Sequence, residues 1–437
     1  MRIKQISVTK LFGVFDHTIT LNMDERITII HGPNGFGKTI LLRMVDGLFN
    51  SRYTELVKIP FDEFRLDFDD ESYLTLKEKE EEPNEKLKQS YNKKIMNVIY
   101  TNNLKQPKSF ILNFLEIEKN IALMIKELKQ QNSSDDLTNE QNMKMSVLLS
   151  YFLNYETIKK ETKKPDWFIE LTKCINVRLI TTQRLLNFSD IKKTTVEADS
   201  TEVIESVETY SKELAEKLQE KLAEYGALSQ SLDRTFPARV VNQKAPSHLT
   251  EEMLRHKLSE IEEKRSNLIN VGLLDKDENP DFQVKQEIDE TTKNILSVYL
   301  EDVEKKLAVF KDMAMKLELF QRIIRERFKY KTITISKDNG FTFTTANGKP
   351  LSPTDLSSGE QHELVLLYEL LFKVKPNSLI LIDEPELSFH VGWQVQFLKD
   401  LQDIIGLADF DVLMATHSPD IISDRWDLTV ELKGPIE

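Results

Sequence analysis

Apolar and polar residues alternate near the start of the chain. Arg2-Ile3-Lys4-Gln5-Ile6-Ser7-Val8 and Thr18-Ile19-Thr20-Leu21 read as half-covered strands. Arg26-Ile27-Thr28-Ile29-Ile30 is a β-branched run without alternation and reads as a buried strand. A glycine-rich turn follows. From Lys38 to Leu48 the period changes, and Leu41, Leu42, Val45 and Leu48 share one face of a predicted helix. Phe64 to Phe68 and Tyr73 to Leu76 alternate again and predict two further strands.

Beyond Lys77 the pattern shifts to charged and helical stretches. Glu80 to Glu82 belong to a solvated charge run, and residues 108–170 read as mostly helical, so 78–173 is expected to be a helical insertion. Ile175 to Ile180 returns to strand-like alternation, placing a strand in a segment 174–195. Two heptad-like runs follow within 196–330. Ile204, Val207, Leu214, Leu218, Tyr225 and Leu228 form the first, with Ser211 and Lys221 as gaps. The second is cleaner: Leu296, Leu300, Val303, Leu307, Phe310, Ala314, Leu317, Ile324 and Phe328 lie four and three apart, with only Gln321 off pattern. It predicts one long helix packed on another, as an antiparallel coiled coil or as a compact bundle. After Lys331, two strands flank Asp338-Asn339-Gly340 as a hairpin, and strands then alternate with helices to residue 437. The expected architecture is one α/β unit, built from 1–77, 174–195 and 331–437, interrupted by helical insertions.

Length and charge narrow this picture. With 437 residues, two or three domains or one large interrupted domain are possible. Asp and Glu (72) outnumber Lys and Arg (59), a net charge of -13 that argues against a nucleic-acid coat protein. The single cysteine, Cys174, excludes an intrachain disulfide and is expected to be a small core residue. No leader is evident at Met1 to Gln5, and the longest apolar stretch, Leu364 to Phe372, is far shorter than a membrane span of about 20 residues. A cytoplasmic protein without a membrane partner is expected.

Three segments carry chemistry. Gly32-Pro33-Asn34-Gly35-Phe36-Gly37-Lys38-Thr39 matches G-x-x-x-x-G-K-[ST] between a buried strand and a helix. The glycines allow backbone N–H groups to turn toward phosphate oxygens, Lys38 supplies a charge for the β- and γ-phosphates, and the Thr39 hydroxyl suits Mg²⁺. Ser378 to Ile382 is a buried strand that ends in Asp383 and Glu384. Buried carboxylates are costly without compensation. Asp383 therefore suits Mg²⁺, directly or through water, and Glu384 suits polarising an attacking water. Leu356-Ser357-Ser358-Gly359-Glu360 precedes an apolar helix and offers either a second anion site or an ordinary serine N-cap.

Together these motifs resemble the ABC-type ATPase heads of the SMC, RecF and OLD families, often called AAA ATPases and found in bacterial anti-phage defence. Gly32–Thr39 resembles Walker A, Leu379–Glu384 resembles Walker B, and Leu356–Glu360 resembles the ABC signature, with Ser358 in place of its first glycine. Pro385 to His390 resembles the D-loop, and Ala415-Thr416-His417-Ser418-Pro419 the switch histidine segment. The resemblance covers about 1–77 and 331–437, and SMC-like heads carry a comparable insertion between Walker A and signature.

The resemblance implies an α/β P-loop head with an inserted helical or coiled-coil region, using ATP and Mg²⁺. It implies that Ser357, with Ser358, Gly359 and Glu360, contacts the γ-phosphate held by a second copy, so that ATP joins two heads into a dimer or higher oligomer. It also gives His417 a place at the γ-phosphate. Gln183 is either the Q-loop residue reaching Mg²⁺ and nucleotide, or a surface glutamine. Lys10 to Phe15 is either near the nucleotide or a plain hairpin turn.

Two roles stay open. One is a sensor or scaffold ATPase of anti-phage defence that controls a separate effector such as a nuclease. The other is a DNA-binding ATPase of repair or maintenance, using Lys159, Lys160, Lys163, Lys164, Lys192 and Lys193, or Arg322 to Lys331. OLD proteins carry a nuclease after the head, whereas only twenty residues follow His417 here, so cleavage is expected from a partner.

Overall fold

The computed structural model describes residues 1–78, 95–113, 164–180, 206–242, 249–276 and 288–435. They fall into two compact units: Met1–Thr182 with Val374–Glu437, and Gln183–Lys373.

The first unit begins with β1 (Ile3–Leu11), β2 (Phe15–Thr20) and β3 (Ile27–His31), followed by α1 (Lys38–Phe49) and α2 (Tyr53–Lys58). Next come β4 (Glu63–Phe68), β5 (Tyr73–Glu78), β6 (Ile95–Thr101) and β7 (Pro107–Asn113), then α3 (Asp166–Cys174) and β8 (Val177–Ile180).

The second unit holds α4 (Ser206–Asn242), α5 (Glu251–Asn270), α6 (Glu290–Ala308) and α7 (Lys311–Arg327). The strands β9 (Lys331–Ser336), β10 (Gly340–Thr345) and β11 (Pro350–Leu351) follow, then α8 (Ser358–Tyr368). The chain returns to the first unit with β12 (Leu379–Asp383), α9 (Val391–Ala408), β13 (Asp411–Ala415), α10 (Pro419–Ile422) and β14 (Thr429–Glu431).

Two sheets organise the first unit. One is antiparallel, in the order β2-β1-β4-β5-β6-β7. Its strands alternate: on β4, Phe64, Leu66 and Phe68 are buried and the residues between them are half-buried. The other sheet is parallel, in the order β14-β3-β13-β12-β8. Its central strands are buried along almost their whole length, which is why they read as continuous apolar runs. The core joins Leu41, Leu42, Val45 and Leu48 of α1 to residues of both sheets. This fixes α1 on the strands that carry the candidate chemistry.

Four expectations need correction. The region 78–173 is not helical throughout, because 95–101 and 107–113 are strands that extend the antiparallel sheet from β5. Met96, Val98 and Leu112 are buried there while Ile111 is exposed, a two-residue alternation too short to stand out in sequence. The long helix expected over 296–328 is divided at Val309 and Phe310 into α6 and α7. Phe310 is fully buried against the ring of Tyr225, an anchoring contact that heptad spacing does not report. Residues 331–373 group with the helices and not with the parallel sheet. Cys174 is exposed, because it ends α3 on the turn leading to β8.

In the second unit, the β9–β10 hairpin is gripped by two glycines. Gly272, just past α5, has φ +85° and lies so close to β9 that a Cβ would fall 2.1 Å from the Ile335 carbonyl oxygen. Gly340, at the hairpin turn, has φ +64° and abuts Ser211 of α4. The Ser211 hydroxyl donates to the Asn339 or Phe341 carbonyl oxygen, 2.8 and 2.9 Å away, and accepts the Phe341 N–H at 3.1 Å. Ser211, a gap in the apolar heptad pattern, is thus the polar bolt between helix and hairpin.

Candidate functional site

The parallel sheet brings residues distant in sequence to one edge. β3 ends at His31, and the chain turns through Gly32 to Gly37 into α1. Gly32, Gly35 and Gly37 have φ of 149°, 84° and 90°, conformations that L-residues adopt rarely. At Gly37 a Cβ would fall 2.6 Å from Leu11 Cδ2. The backbone therefore requires glycine on conformational grounds, whereas the close approach at Gly37 meets only the movable tip of the Leu11 side chain. Gly37 also caps α1, and among the described residues no side-chain cap bonds to the first-turn N–H groups. A helix start with unclaimed donors and no acidic residue in its first turn is suited to an anion.

Lys38 is buried, and its Nζ donates to the Gly32 and Pro33 carbonyl oxygens at 2.8 and 3.1 Å. Burial lowers its pKa, while Glu384, Glu386 and Asp383 pull the other way. The Thr39 hydroxyl donates to Asp383 Oδ1 at 2.9 Å. Burial raises the Asp383 carboxyl, against the opposing hydrogen bond from Thr39. A hydroxyl and a carboxylate thus meet where the P-loop helix faces the end of β12. This donor set fits Mg²⁺, whose remaining positions are commonly filled by water and phosphate oxygens. Among the described residues, no group of three or more His, Cys, Asp or Glu could hold a metal.

Glu384 sits at φ 44°, unusual for a residue with a side chain, and its N–H donates to Ala415 O at 2.8 Å. This bond ties the end of β12 to the end of β13, from which His417 follows. His417 Nδ1 lies 3.5 Å from Lys38 Nζ, and its Nε2 lies 3.7 Å from Glu384 Oε1. The imidazole therefore stands between the P-loop lysine and the strand-end glutamate. Thr416 N–H bonds to Ile30 O at 3.2 Å, which fixes the histidine segment to β3.

Gly32 to Thr39, Asp383, Glu384 and His417 thus converge in one unit. Gln183 lies outside the described residues. Ser357, Ser358, Gly359 and Glu360 lie in the other unit. There Ser357 is the N-cap of α8: its N–H and hydroxyl donate to Glu360 Oε2 at 2.9 and 2.7 Å, and Lys331 Nζ donates to Glu360 Oε1 at 2.7 Å. Burial alone would raise the Glu360 carboxyl, but Lys331 and Ser357 outweigh it and hold the pKa below its usual value.

Two residues near the P-loop have no individual role in the sequence analysis, although Glu386 falls in the D-loop-like segment. His17 is buried on β2 and its Nε2 lies 2.8 Å from the Phe36 carbonyl oxygen, bracing the loop. Its only signal was an inward position in the β2 alternation. Glu386 accepts the His417 backbone N–H at 2.6 Å. A second carboxylate two residues beyond Glu384 was its signal.

A phosphate-binding loop between a central parallel strand and a helix, facing a strand-end carboxylate pair, defines a P-loop ATPase head. The chain belongs to the AAA ATPase domain family (AAA_15), whose model matches residues 1–422. No protein of curated function matches it. Among solved structures, it is similar to the Smc head domain with extended coiled coil from Pyrococcus furiosus, crystallised bound to the C-terminal domain of ScpA. That match has 11% identity, covers 97% of this chain and 91% of the other, and has a TM-score of 0.34. The SMC head domain from Thermotoga maritima matches at 11% identity over the whole of both chains, with a TM-score of 0.33.

Proposed function

We propose that this protein hydrolyses ATP with Mg²⁺ and that two heads close around the nucleotide. The reading is carried by one observation: Lys38, Thr39, Asp383, Glu384 and His417 converge at the carboxyl ends of β12 and β13, beside the P-loop. Lys38 and the α1 N-terminus hold the β- and γ-phosphates. Thr39 and Asp383 hold Mg²⁺, which neutralises phosphate charge when bound. Glu384 orients the attacking water and accepts its proton, and His417 contacts the γ-phosphate. Lys38→Ala is expected to weaken ATP binding roughly 10- to 100-fold, the scale of a lost charge-assisted hydrogen bond. Titration with a fluorescent ATP analogue measures this, and unchanged affinity would remove Lys38 from the site.

The signature segment belongs to the same proposal. Ser357 is presented at the start of α8 and acts on the nucleotide of a second copy. Ser357→Arg is expected to cut turnover to less than about a tenth, because a bulky cation replaces a small hydroxyl at a helix N-terminus. Nucleotide binding to the single head should persist. Steady-state turnover together with light scattering in ATP checks both parts, and full turnover in the variant would sink the role in trans.

The head is proposed to serve as the sensor or scaffold ATPase of an anti-phage defence system, holding or releasing a separate effector such as a nuclease. The D-loop and switch segments resembling those of RecF and OLD heads support this. Among the described residues no helix is long and apolar enough to cross a membrane, and a cytoplasmic setting is part of the proposal. The DNA-maintenance alternative rests on basic residues that the fold largely occupies: Arg327 pairs with buried Glu363, Lys331 with Glu360, and Arg325 bonds to Gln321. Lys159, Lys160, Lys163, Lys192 and Lys193 lie outside the described residues. Affinity for duplex DNA measured against salt, beside recovery of the chain with its genomic neighbour's product, separates the two. Tight, steeply salt-dependent DNA binding would favour the alternative.

A further inference from the structure

We infer that Glu386 is a positioning residue for hydrolysis: its carboxylate holds the backbone of His417, and thereby keeps the imidazole between Lys38 and Glu384. The inference rests on the hydrolase reading above and deepens it.

Glu386 lies in the short 3₁₀ turn Pro385–Ser388 that follows the left-handed Glu384. Pro385 restricts the backbone at the start of that turn. The turn brings Glu386 under the end of β13, where Oε1 accepts the His417 N–H at 2.6 Å. Its other oxygen, Oε2, is buried and has no hydrogen-bond partner among the described residues. The side chain as a whole is half-buried, and a carboxylate oxygen that is covered without a hydrogen bond is costly for stability alone. Its placement is explained by what it holds. The neighbouring Ser418 is fixed separately, by donation of its hydroxyl to Gln394 Oε1 at 2.6 Å. The segment is thus tied at Thr416 to Ile30, at Ser418 to Gln394 and at His417 to Glu386, and of these three ties that of Glu386 is the one on the His417 backbone.

The geometry also separates the two glutamates. Glu384 approaches the imidazole at Nε2, whereas Glu386 engages only the His417 main chain. Glu384 meets the reacting groups and Glu386 acts through the histidine. The charge of Glu386 also contributes, after that of Glu384, to keeping Lys38 protonated. A charge role and a hydrogen-bond role must therefore be told apart by experiment.

The test uses full-length protein with Mg·ATP and four variants: E386Q, which keeps an oxygen acceptor but no charge; E386M, which keeps the volume but no acceptor; H417A; and the E386M/H417A double variant. Expected results are a kcat at least tenfold lower for E386M with KM within threefold of wild type, and at least a third of wild-type kcat for E386Q. The double variant should be within twofold of H417A alone, because a residue that acts through His417 has nothing left to position. Wild-type kcat in E386M, multiplying effects in the double variant, or an E386Q as slow as E386M would each overturn the inference while leaving the hydrolase reading intact. If E386M does not fold, E386Q decides alone, and a kcat below a tenth of wild type overturns the positioning role. A wild type that binds but never hydrolyses ATP overturns the hydrolase reading, and this inference with it.

Discussion

Glu384→Gln is expected to lower ATP turnover about 100- to 1,000-fold while leaving nucleotide affinity nearly unchanged, if Glu384 is the proposed base. The amide preserves the shape of the side chain but cannot accept a proton from the attacking water. Glu384 is held at a strained φ of 44° by its N–H bond to Ala415, so its backbone is set by the sheet ends and not by its charge. The substitution should therefore remove one chemical capacity without moving the P-loop. Lys38 loses the largest of the carboxylate fields that favour its charged form, but Glu386 and Asp383 remain. Single-turnover hydrolysis and analogue binding, measured on the same preparation, check the split. A kcat within threefold of wild type would assign the base elsewhere.

Gly340→Ala destabilises the helical unit by roughly 2–5 kcal/mol, combining strain at positive φ with overpacking. A Cβ at Gly340 would lie 1.8 Å from the Ser211 carbonyl oxygen, and Gly340 has φ +64°. The obstacle is backbone, so trimming the Ser211 side chain gives no relief. The Gly340→Ala/Ser211→Ala double variant should be less stable still, because the hydroxyl that bonds Phe341 N–H is also lost. Gly348→Ala is a control for the conformational part: φ is +74° there, but nothing lies within 4 Å of the added atom. Urea unfolding or limited proteolysis of the three variants ranks them. Equal stability of the Gly340 and Gly348 variants would show that the hairpin is not pressed on α4.

These cases show what can be read from sequence and what cannot. The P-loop was legible because its geometry is local: glycine spacing, a preceding apolar strand and a following helix lie within a few residues of one another. Asp383 and Glu384 were legible because two carboxylates at the end of a buried run contradict the run itself. Register was not legible. Nothing local says that β12 lies between β8 and β13, or that Ala415 captures the Glu384 N–H. For the same reason Glu386 carried no assigned role, since its partner is 31 residues away across a parallel sheet. The signature-like segment groups with the helical unit, which its sequence does not show. Tyr210 donates to Glu369 at 2.5 Å and Lys373 to Glu213 at 2.5 Å, contacts that bind the stretch after α8 to α4. Heptad spacing likewise showed the helices of 206–327, but not the break at Val309, which depends on where Phe310 is buried.

The parallel sheet also sets a schedule for synthesis. Ile27 of β3 pairs with Val412 of β13, 385 residues later in the chain. At about 5–20 residues per second on the ribosome, β3 waits roughly 20–80 s for that neighbour to emerge. The strands of the antiparallel sheet all lie within the first 113 residues and can pair much earlier. The phosphate loop is therefore made almost first and completed almost last. Until β13 arrives, the apolar strand beneath it has no parallel partner from the C-terminal segment to cover it, so the nascent chain carries an unpaired apolar strand edge through most of its own translation.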